Sequence, residues 1–382
     1  MRLLIVVTHL LGTGHLARAT ALGEAAAAAG HDVTLVSGGM PAPHLARDGV
    51  RLVQLPPLRS DGTAFTRLLS GEGRPATDEY LLKRRRALLT ALDEAAPGGL
   101  VTELFPFGRR VLAGEFEALL QAAKSRPGRP RIFASIRDVL APPSKPAKAE
   151  QTERRLRAYY DGVLVHGDPS VMRLEQSWPI TAPLRAMLSY TGFVAPALPE
   201  TTADGDGAGE ILVTAGGGPV GQHLFETAVA AAARLEGPHR TWRLLIGGDD
   251  RQARIDGLRE NAPPWVIIEP VRPDFRELLQ RAALSVNQAG YNTILDVAAA
   301  RIPSVIVPFE DAGETEQAQR AACFAERYGY RVLPERELTP ETLATAMEAA
   351  LKASPPSAPP PDLSGAARSV ALLAGGTTAA LT

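Results

Sequence analysis

The sequence predicts an α/β protein made of two doubly wound parallel-sheet domains, and three features carry that expectation. Short runs of β-branched and aliphatic residues alternate with longer helical runs along most of the chain. Those short runs are apolar throughout, as strands covered on both faces require. The rhythm stops once, in a Pro/Gly/Asp-rich stretch without periodicity at residues 195–209, and then restarts.

Size and composition agree with this. At 382 residues the chain exceeds the length at which a single core stops growing, and 45% hydrophobic with 22% charged residues is ordinary for a globular protein.

The first domain is expected over residues 1–194. It opens with the strand Leu3 to Val7, the helix Leu16 to Ala29 and the strand Val33 to Val36, a βαβ unit. Further strands are expected at Arg51 to Gln54, Leu100 to Glu103, Arg131 to Ser135 and Gly162 to His166. Helices are expected at Glu79 to Ala95, Arg109 to Ala123 and Ala149 to Tyr160. Ser60 to Thr77 is rich in Gly, Ser, Thr and Arg and too long for a simple connection, so it reads as a mobile functional loop.

After the linker, the second domain is expected over 210–352. Its strands are Ile211 to Thr214, Trp242 to Ile246, Trp265 to Ile268, Leu284 to Asn287 and Ser304 to Val307. Its helices are Leu224 to Leu235, Phe275 to Ala283, Thr293 to Ala300 and Glu316 to Arg327. Residues 353–382 hold a Pro-rich break, Pro355 to Pro361, and then a helical tail, Leu363 to Ala374, long enough to cross back to the first domain.

Charge and cysteine content narrow the function. With 41 basic and 42 acidic residues the chain has no overall field to attract nucleic acid or an acidic membrane. The single cysteine, Cys323, excludes an intramolecular disulfide and sits in an apolar helical run, where it reads as a small buried hydrophobe. The apolar run at the N-terminus ends at Thr8 and His9, too soon for a leader or a membrane span, so a cytoplasmic location is expected.

Chemistry is expected where loops follow strands. Gly12, Thr13 and Gly14 follow the first strand and open a helix, so backbone amides and the positive helix end face whatever lies above the sheet. The same residues would equally make a tight βα turn. His15 falls in the first helical turn, where the dipole favours the neutral ring and suits a general base, or leaves a simple capping residue. Glu103 closes a strand and is the weaker alternative base. His166 also ends a strand and reads as structural, while His9 stays open. Arg137 and Asp138, at another strand end, are acceptor-side candidates or an ion pair.

In the second domain, Gly216, Gly217 and Gly218 lie in the loop Thr214 to Pro219, where bare backbone can approach a diphosphate. The segment Asn287 to Asp296 follows. Asn292 reads as an N-cap and places Asp296 early in the helix, able to accept both hydroxyls of a ribose. Glu314, Glu316 and Gln317 open the next helix with groups suited to hydroxyl recognition or to capping. Asp204 and Asp206 spell a D-x-D metal motif, but inside the linker with no strand before it, so no metal site is expected.

Taken together these residues resemble the GT-B nucleotide-sugar glycosyltransferases of the peptidoglycan N-acetylglucosaminyltransferase branch. Within it, the resemblance is greatest to an uncharacterised predicted-glycosyltransferase group, through Phe105 to Arg110, Ser135 to Asp138, Val165 to Pro169 and Tyr190 to Phe193. The resemblance implies two Rossmann-like domains facing a cleft and a nucleotide-diphospho-sugar, UDP-linked, as substrate, with no further cofactor.

It also assigns roles. Gly216 to Gly218 would hold the diphosphate, Asp296 the ribose beside Gly290, Val271 and Arg272 the base, and Glu316 with Gln317 the sugar hydroxyls. That last pair is two glutamines in the peptidoglycan enzyme. The acceptor would be a small molecule or lipid-linked hydroxyl, and activity would survive a chelator. Gly14-His15-Leu16-Ala17-Arg18 is also similar to a sugar-nucleotide hydrolase, so hydrolysis is the alternative reaction, and a non-catalytic nucleotide-sugar sensor is a third.

Overall fold

The structure, a computed structural model, describes every residue except 44, 46–47, 62–63, 219, 235–239, 310–314, 355 and 377–382. Pro219, Leu235, Glu314 and Pro355 of the expected features therefore lie outside the described residues. The chain divides into two compact units, Met1–Pro196 with Asp362–Thr382, and Ala197–Pro361.

The first unit runs β1 (Arg2–Val7), α1 (Gly14–Ala28), β2 (Asp32–Ser37), β3 (Val50–Gln54), β4 (Leu58–Asp61), β5 (Ala64–Ser70), α2 (Asp78–Ala95), β6 (Gly99–Glu103), α3 (Ala113–Lys124), β7 (Arg131–Arg137), α4 (Pro146–Tyr159), β8 (Gly162–His166), α5 (Ala182–Arg185) and β9 (Leu188–Tyr190). Its main sheet is parallel and ordered β3-β2-β1-β6-β7-β8-β9. The strand order turns back at β1, so the carboxyl ends of β1 and β6 flank the topological switch point, where open α/β sheets bind ligands.

β1 shows how the sequence builds both faces. Leu4 and Val6 join Leu88, Phe116 and Leu119 on one side, while Leu3, Ile5 and Val7 join Leu16 and Leu22 on the other. The period-two alternation of a strand divides an unbroken apolar run between two helix layers.

The second unit runs β10 (Ile211–Thr214), α6 (Gln222–Ala233), β11 (Trp242–Ile246), α7 (Arg251–Arg259), β12 (Val266–Pro270), α8 (Phe275–Arg281), β13 (Leu284–Asn287), α9 (Tyr291–Ala300), β14 (Ser304–Ile306), α10 (Glu316–Tyr328), β15 (Arg331–Val332) and α11 (Pro340–Lys352). Its parallel sheet is ordered β12-β11-β10-β13-β14-β15, with the switch point between β10 and β13.

The tail helix α12 (Gly365–Leu373) belongs to the first unit. Val370 and Leu373 complete the apolar layer with Leu16 and Leu22, each contributing roughly 1.5–3 kcal/mol by burial. Val194 bridges to Ser364, and a Cβ on Gly365 would meet the Gly192 carbonyl oxygen at 2.3 Å, so only glycine lets these backbones touch. Arg131 Nη1 donates to the Leu372 carbonyl at 2.6 Å, closing the last turn.

Two expectations need correction here. The stretch Ser60 to Thr77 is not an open loop: β4 and β5 pair antiparallel across much of it, and Ser70 N–H donates to the Arg74 carbonyl. The signal was hidden because buried positions of the hairpin include Ser60 and Ser70 instead of an apolar alternation. Asn292 is not the cap of α9 either. The cap is Gly290, which puts Asn292 inside the first turn and Asp296 at mid-helix.

Candidate active site

In the first unit, His15 sits in the first turn of α1, directly above the end of β1, and Glu103 is the last residue of the neighbouring β6. His15 Nδ1 lies 2.9 Å from Glu103 Oε1. A carboxylate can only accept, so Nδ1 carries the proton and Nε2 holds the free lone pair. Nε2 makes no hydrogen bond among the described residues.

Arg18, one turn along α1, donates to the same Glu103 Oε1 and stands 3.1 Å from Nδ1. Ser135, paired with Glu103 across β6 and β7, donates to Oε2 at 2.5 Å. His166, at the end of β8, lies 2.8 Å from Ser135 through Nε2 and 3.0 Å from Thr191 through Nδ1.

Burial and charge fix the protonation of the group. Burial lowers His15 to about 3, against the smaller raising effect of Glu103, so the ring is neutral. Burial alone would raise Glu103, but Arg18, His15 and Ser135 together outweigh it and hold the carboxyl well below its ordinary value. His166, wholly enclosed, is lowered to about 3 by burial. Glu103 has 1% of its side chain exposed against 16% for His15. The imidazole is therefore the more accessible of the two, which favours His15 over Glu103 as the group able to meet a ligand. Glu103 is the anion behind the ring.

Arg109 adds a second cation. It adopts a left-handed φ of 58°, its Nε donates to the Thr8 carbonyl at 2.6 Å, and burial lowers it to about 10, partly offset by Glu103. His9 is enclosed: Nε2 donates to the Met40 carbonyl at 3.0 Å, Gly39 packs against its ring, and burial lowers its pKa. Gly12 and Gly14 are exposed with no atom near a Cβ position, and Thr13 caps α1 without a side-chain bond, so the loop keeps its amides open. Arg137 Nε donates to the Val139 carbonyl at 3.2 Å. Asp138 is 1% exposed beneath Gly167, which removes it from the acceptor-side set.

In the second unit the glycine loop follows β10 at the switch point. Gly216 has φ 82° and its N–H donates to Thr214 Oγ1 at 3.0 Å, while Cβ positions on Gly217 and Gly218 meet almost nothing. Below it lies Gly247, where a Cβ would meet the Gly216 oxygen at 2.5 Å and the Gly217 carbonyl carbon at 2.6 Å. Across the switch point, Asn287 ends β13 and Gln288 follows it, each with a buried side-chain oxygen that has no partner among the described residues. The N-terminus of α9 has Gly290 as its cap, which supplies no side-chain cap bond, and adds further backbone amides at the switch point.

The remaining expected residues divide. Asp296 is half-buried and raised to about 6 by burial, with Arg276 opposing. Glu316 is 8% exposed at the start of α10, and Gln317 Oε1 accepts the Phe309 N–H at 3.1 Å. Val271 is 38% exposed just after β12. Arg272 is committed to structure: it donates to both oxygens of Asp274 and to Asp206 at 2.7 Å, and these contacts raise its pKa. Asp206, half of the D-x-D spelling, is therefore an ion-pair partner of Arg272. Among the described residues no group of three or more His, Cys, Asp or Glu side chains comes together to hold a metal. Among them, too, no helix is long and apolar enough to cross a membrane.

Sequence reasoning missed Gly247 as a site residue, gave Arg18 no role of its own within the Gly14 to Arg18 element, and favoured a structural role for His166 over one facing the cleft. Ser135, His166 and Thr191 do lie in three of the four motifs that carried the family resemblance. Arg320, 2% exposed with Nη1 donating to the Ala289 carbonyl at 3.0 Å, was also unforeseen.

Residues 211–368 match the model of the glycosyltransferase family 28 C-terminal domain. The UDP-N-acetylglucosamine–N-acetylmuramyl-(pentapeptide) pyrophosphoryl-undecaprenol N-acetylglucosamine transferase of Brucella suis is 30% identical over 161 residues, 41% of this chain and 42% of that enzyme. The chain thus spans less than half the length of the curated relatives it matches.

Similar solved structures cover nearly all of it. The calicheamicin glycosyltransferase CalG4 aligns over 97% of this chain and 93% of its own, with TM-score 0.61 and 19% identity. Acinetobacter baumannii MurG aligns over 97% and 95%, with TM-score 0.59 and 17% identity. Residues 211–368 are similar to the glycosyltransferase family 28 C-terminal domain, and the chain as a whole has the GT-B fold of the glycosyltransferases with which it aligns.

Proposed function

We propose that this protein is a glycosyltransferase that moves a sugar from a nucleotide-diphospho-sugar, UDP-linked, to an acceptor hydroxyl. The observation that carries the reading is the His15–Glu103 pair at the switch point of the first unit. A neutral imidazole with its Nδ1 proton held by a buried carboxylate presents Nε2 as a proton acceptor, and Glu103 stabilises the imidazolium as it forms.

In this mechanism the acceptor hydroxyl gives its proton to Nε2 as its oxygen bonds to the anomeric carbon, and the bond from that carbon to the nucleotide diphosphate breaks. The second unit binds the donor. Backbone amides of Gly216 to Gly218 and of the α9 N-terminus meet the diphosphate charge, Asp296 accepts from the ribose, and Glu316 with Gln317 reads the sugar. Helix ends take the place of a metal, so activity survives a chelator.

The matches of the second unit and of the fold to glycosyltransferases favour transfer over hydrolysis. The Brucella suis relative is named for a pyrophosphoryl-undecaprenol substrate, which makes a lipid-linked acceptor the first class to try. The test is a panel of nucleotide sugars incubated with and without small-molecule and lipid-linked acceptors. Nucleotide release that depends on acceptor is expected. Free sugar formed without acceptor, or saturable binding without turnover, would overturn the reading.

A further inference from the structure

We propose that Ser135, held by His166 and Thr191, is a positioning residue that orients Glu103 toward His15. The inference rests on the reading of His15 as the base and adds a second tier behind it.

The protons fix the direction of the chain. Glu103 Oε2 can only accept, so Ser135 Oγ spends its one proton on it, at 2.5 Å. Ser135 Oγ must then accept, and His166 Nε2, 2.8 Å away, is the donor. The enclosed His166 is neutral, which leaves Nδ1 as an acceptor facing the Thr191 hydroxyl at 3.0 Å. The donors His166 and Ser135 therefore both point toward the carboxylate, and Thr191, whose hydroxyl also reaches the Gly192 carbonyl at 3.0 Å and the Val165 carbonyl at 3.3 Å, packs against the far side of the ring. Ser135 is 2% exposed and the other two are fully buried, so water has little access to take over any of these bonds.

Glu103 needs this support because its other oxygen is contested. His15 and Arg18 both approach Oε1, and the guanidinium is the charged competitor. Anchored through Oε2, the carboxylate keeps its plane and can serve both. Released on that side, it turns toward Arg18 and loses His15. The register supports the assignment: Glu103 and Ser135 are direct partners on β6 and β7, and Arg137 pairs with His166 on β7 and β8, so adjacent strand ends deliver the series in one line.

The test uses the full chain and four variants: Ser135→Ala, Ser135→Thr, His15→Ala and the Ser135→Ala/His15→Ala double. Free protein labelled with 15N at histidine reports the Nδ1 proton of His15, assigned by its loss in His15→Ala. Rates are read as nucleotide release from UDP-N-acetylglucosamine with a membrane-lipid extract. Ser135→Ala is expected to speed exchange of that proton and lower kcat at least about ten-fold with donor KM unchanged, the scale of a hydrogen bond to a charged group. Ser135→Thr restores both by keeping the hydroxyl, which also guards against a folding defect.

In the His15→Ala background Ser135→Ala is expected to cost nothing further. An equal cost in that background, or unchanged proton exchange in Ser135→Ala, overturns the positioning role and leaves the base reading standing. A wild-type rate in His15→Ala overturns the base reading itself, and the inference with it.

Discussion

His15 Nδ1 and Glu103 Oε1 are 2.9 Å apart although 88 positions separate them in sequence, because the parallel pairing of β1 with β6 brings the two strand ends side by side. The contact sets the tautomer of the ring and gives the first prediction. His15→Ala is expected to lower kcat by about 10²- to 10⁴-fold, the range for a lost general base. Glu103→Gln keeps the shape but removes the anion. It is expected to lower kcat as well and to destabilise the first unit by roughly 3–5 kcal/mol, because Arg18, 5% exposed, loses the buried carboxylate charge that faces it. Steady-state kinetics with urea unfolding separates the two effects. Full stability in Glu103→Gln would contradict this account of Arg18.

Acid should weaken the same unit in a way that can be assigned. His15 and His166 are each lowered from 6.5 to about 3 by burial. Between those values the unfolded chain binds a proton that the folded one refuses. Their contribution is therefore complete above about 6.5 and is lost as pH falls. The slope is about 1.4 kcal/mol per pH unit for each histidine, with His9 acting in the same direction. Urea unfolding at a series of pH values from 7.5 to 5 measures it. His166→Asn should remove one histidine's share, and an unchanged slope in that variant would place the proton uptake elsewhere.

Both sheets were legible because a buried parallel strand must be apolar on both faces, and runs such as Leu3 to Val7 and Ile211 to Val213 leave no other solution. The glycine loop and His15 were legible because they follow such strands directly. The elements that stayed hidden lack that signature. Helix α7 buries chiefly Ile255 and Leu258 among polar residues, and the β4–β5 hairpin buries Ser60 and Ser70. The series behind Glu103 could not be read because it depends on strand order: Ser135 becomes its neighbour only once β7 is known to lie beside β6. The cap of α9 was misplaced because Gly290 supplies the backbone geometry and Asn292 supplies only the residue type usually found at such a position.

Gly247 tests whether the shape of the glycine loop matters for binding the nucleotide. A methyl there has no room, since backbone atoms of Gly216 and Gly217 stand 2.5 and 2.6 Å from its place, so the loop must shift. Gly247→Ala should weaken UDP binding about ten-fold or more at a stability cost of about 1–3 kcal/mol, as overpacking does. Gly217→Ala meets no atom within 4 Å in the free protein and should leave stability unchanged while still weakening UDP, because the methyl stands where the diphosphate approaches. Calorimetric titration with UDP reads both. Unaltered affinity in both variants would detach the loop from the nucleotide.

Asp296 predicts a pH dependence confined to the donor. Burial raises its carboxyl to about 6, with Arg276 opposing. A carboxylate that accepts from ribose hydroxyls must be ionised, so its contribution is present above about 6 and is lost as pH falls through that value, at up to about ten-fold per pH unit well below it. A UDP-sugar is the right probe, because its diphosphate carries no titrating proton in this range. Affinity measured from pH 7.5 down to 5 should fall for the wild type and stay nearly flat for Asp296→Asn, whose binding is already weak at pH 7.5. Parallel curves for the two proteins would remove Asp296 from the ribose and leave its raised pKa as a consequence of its place at mid-helix.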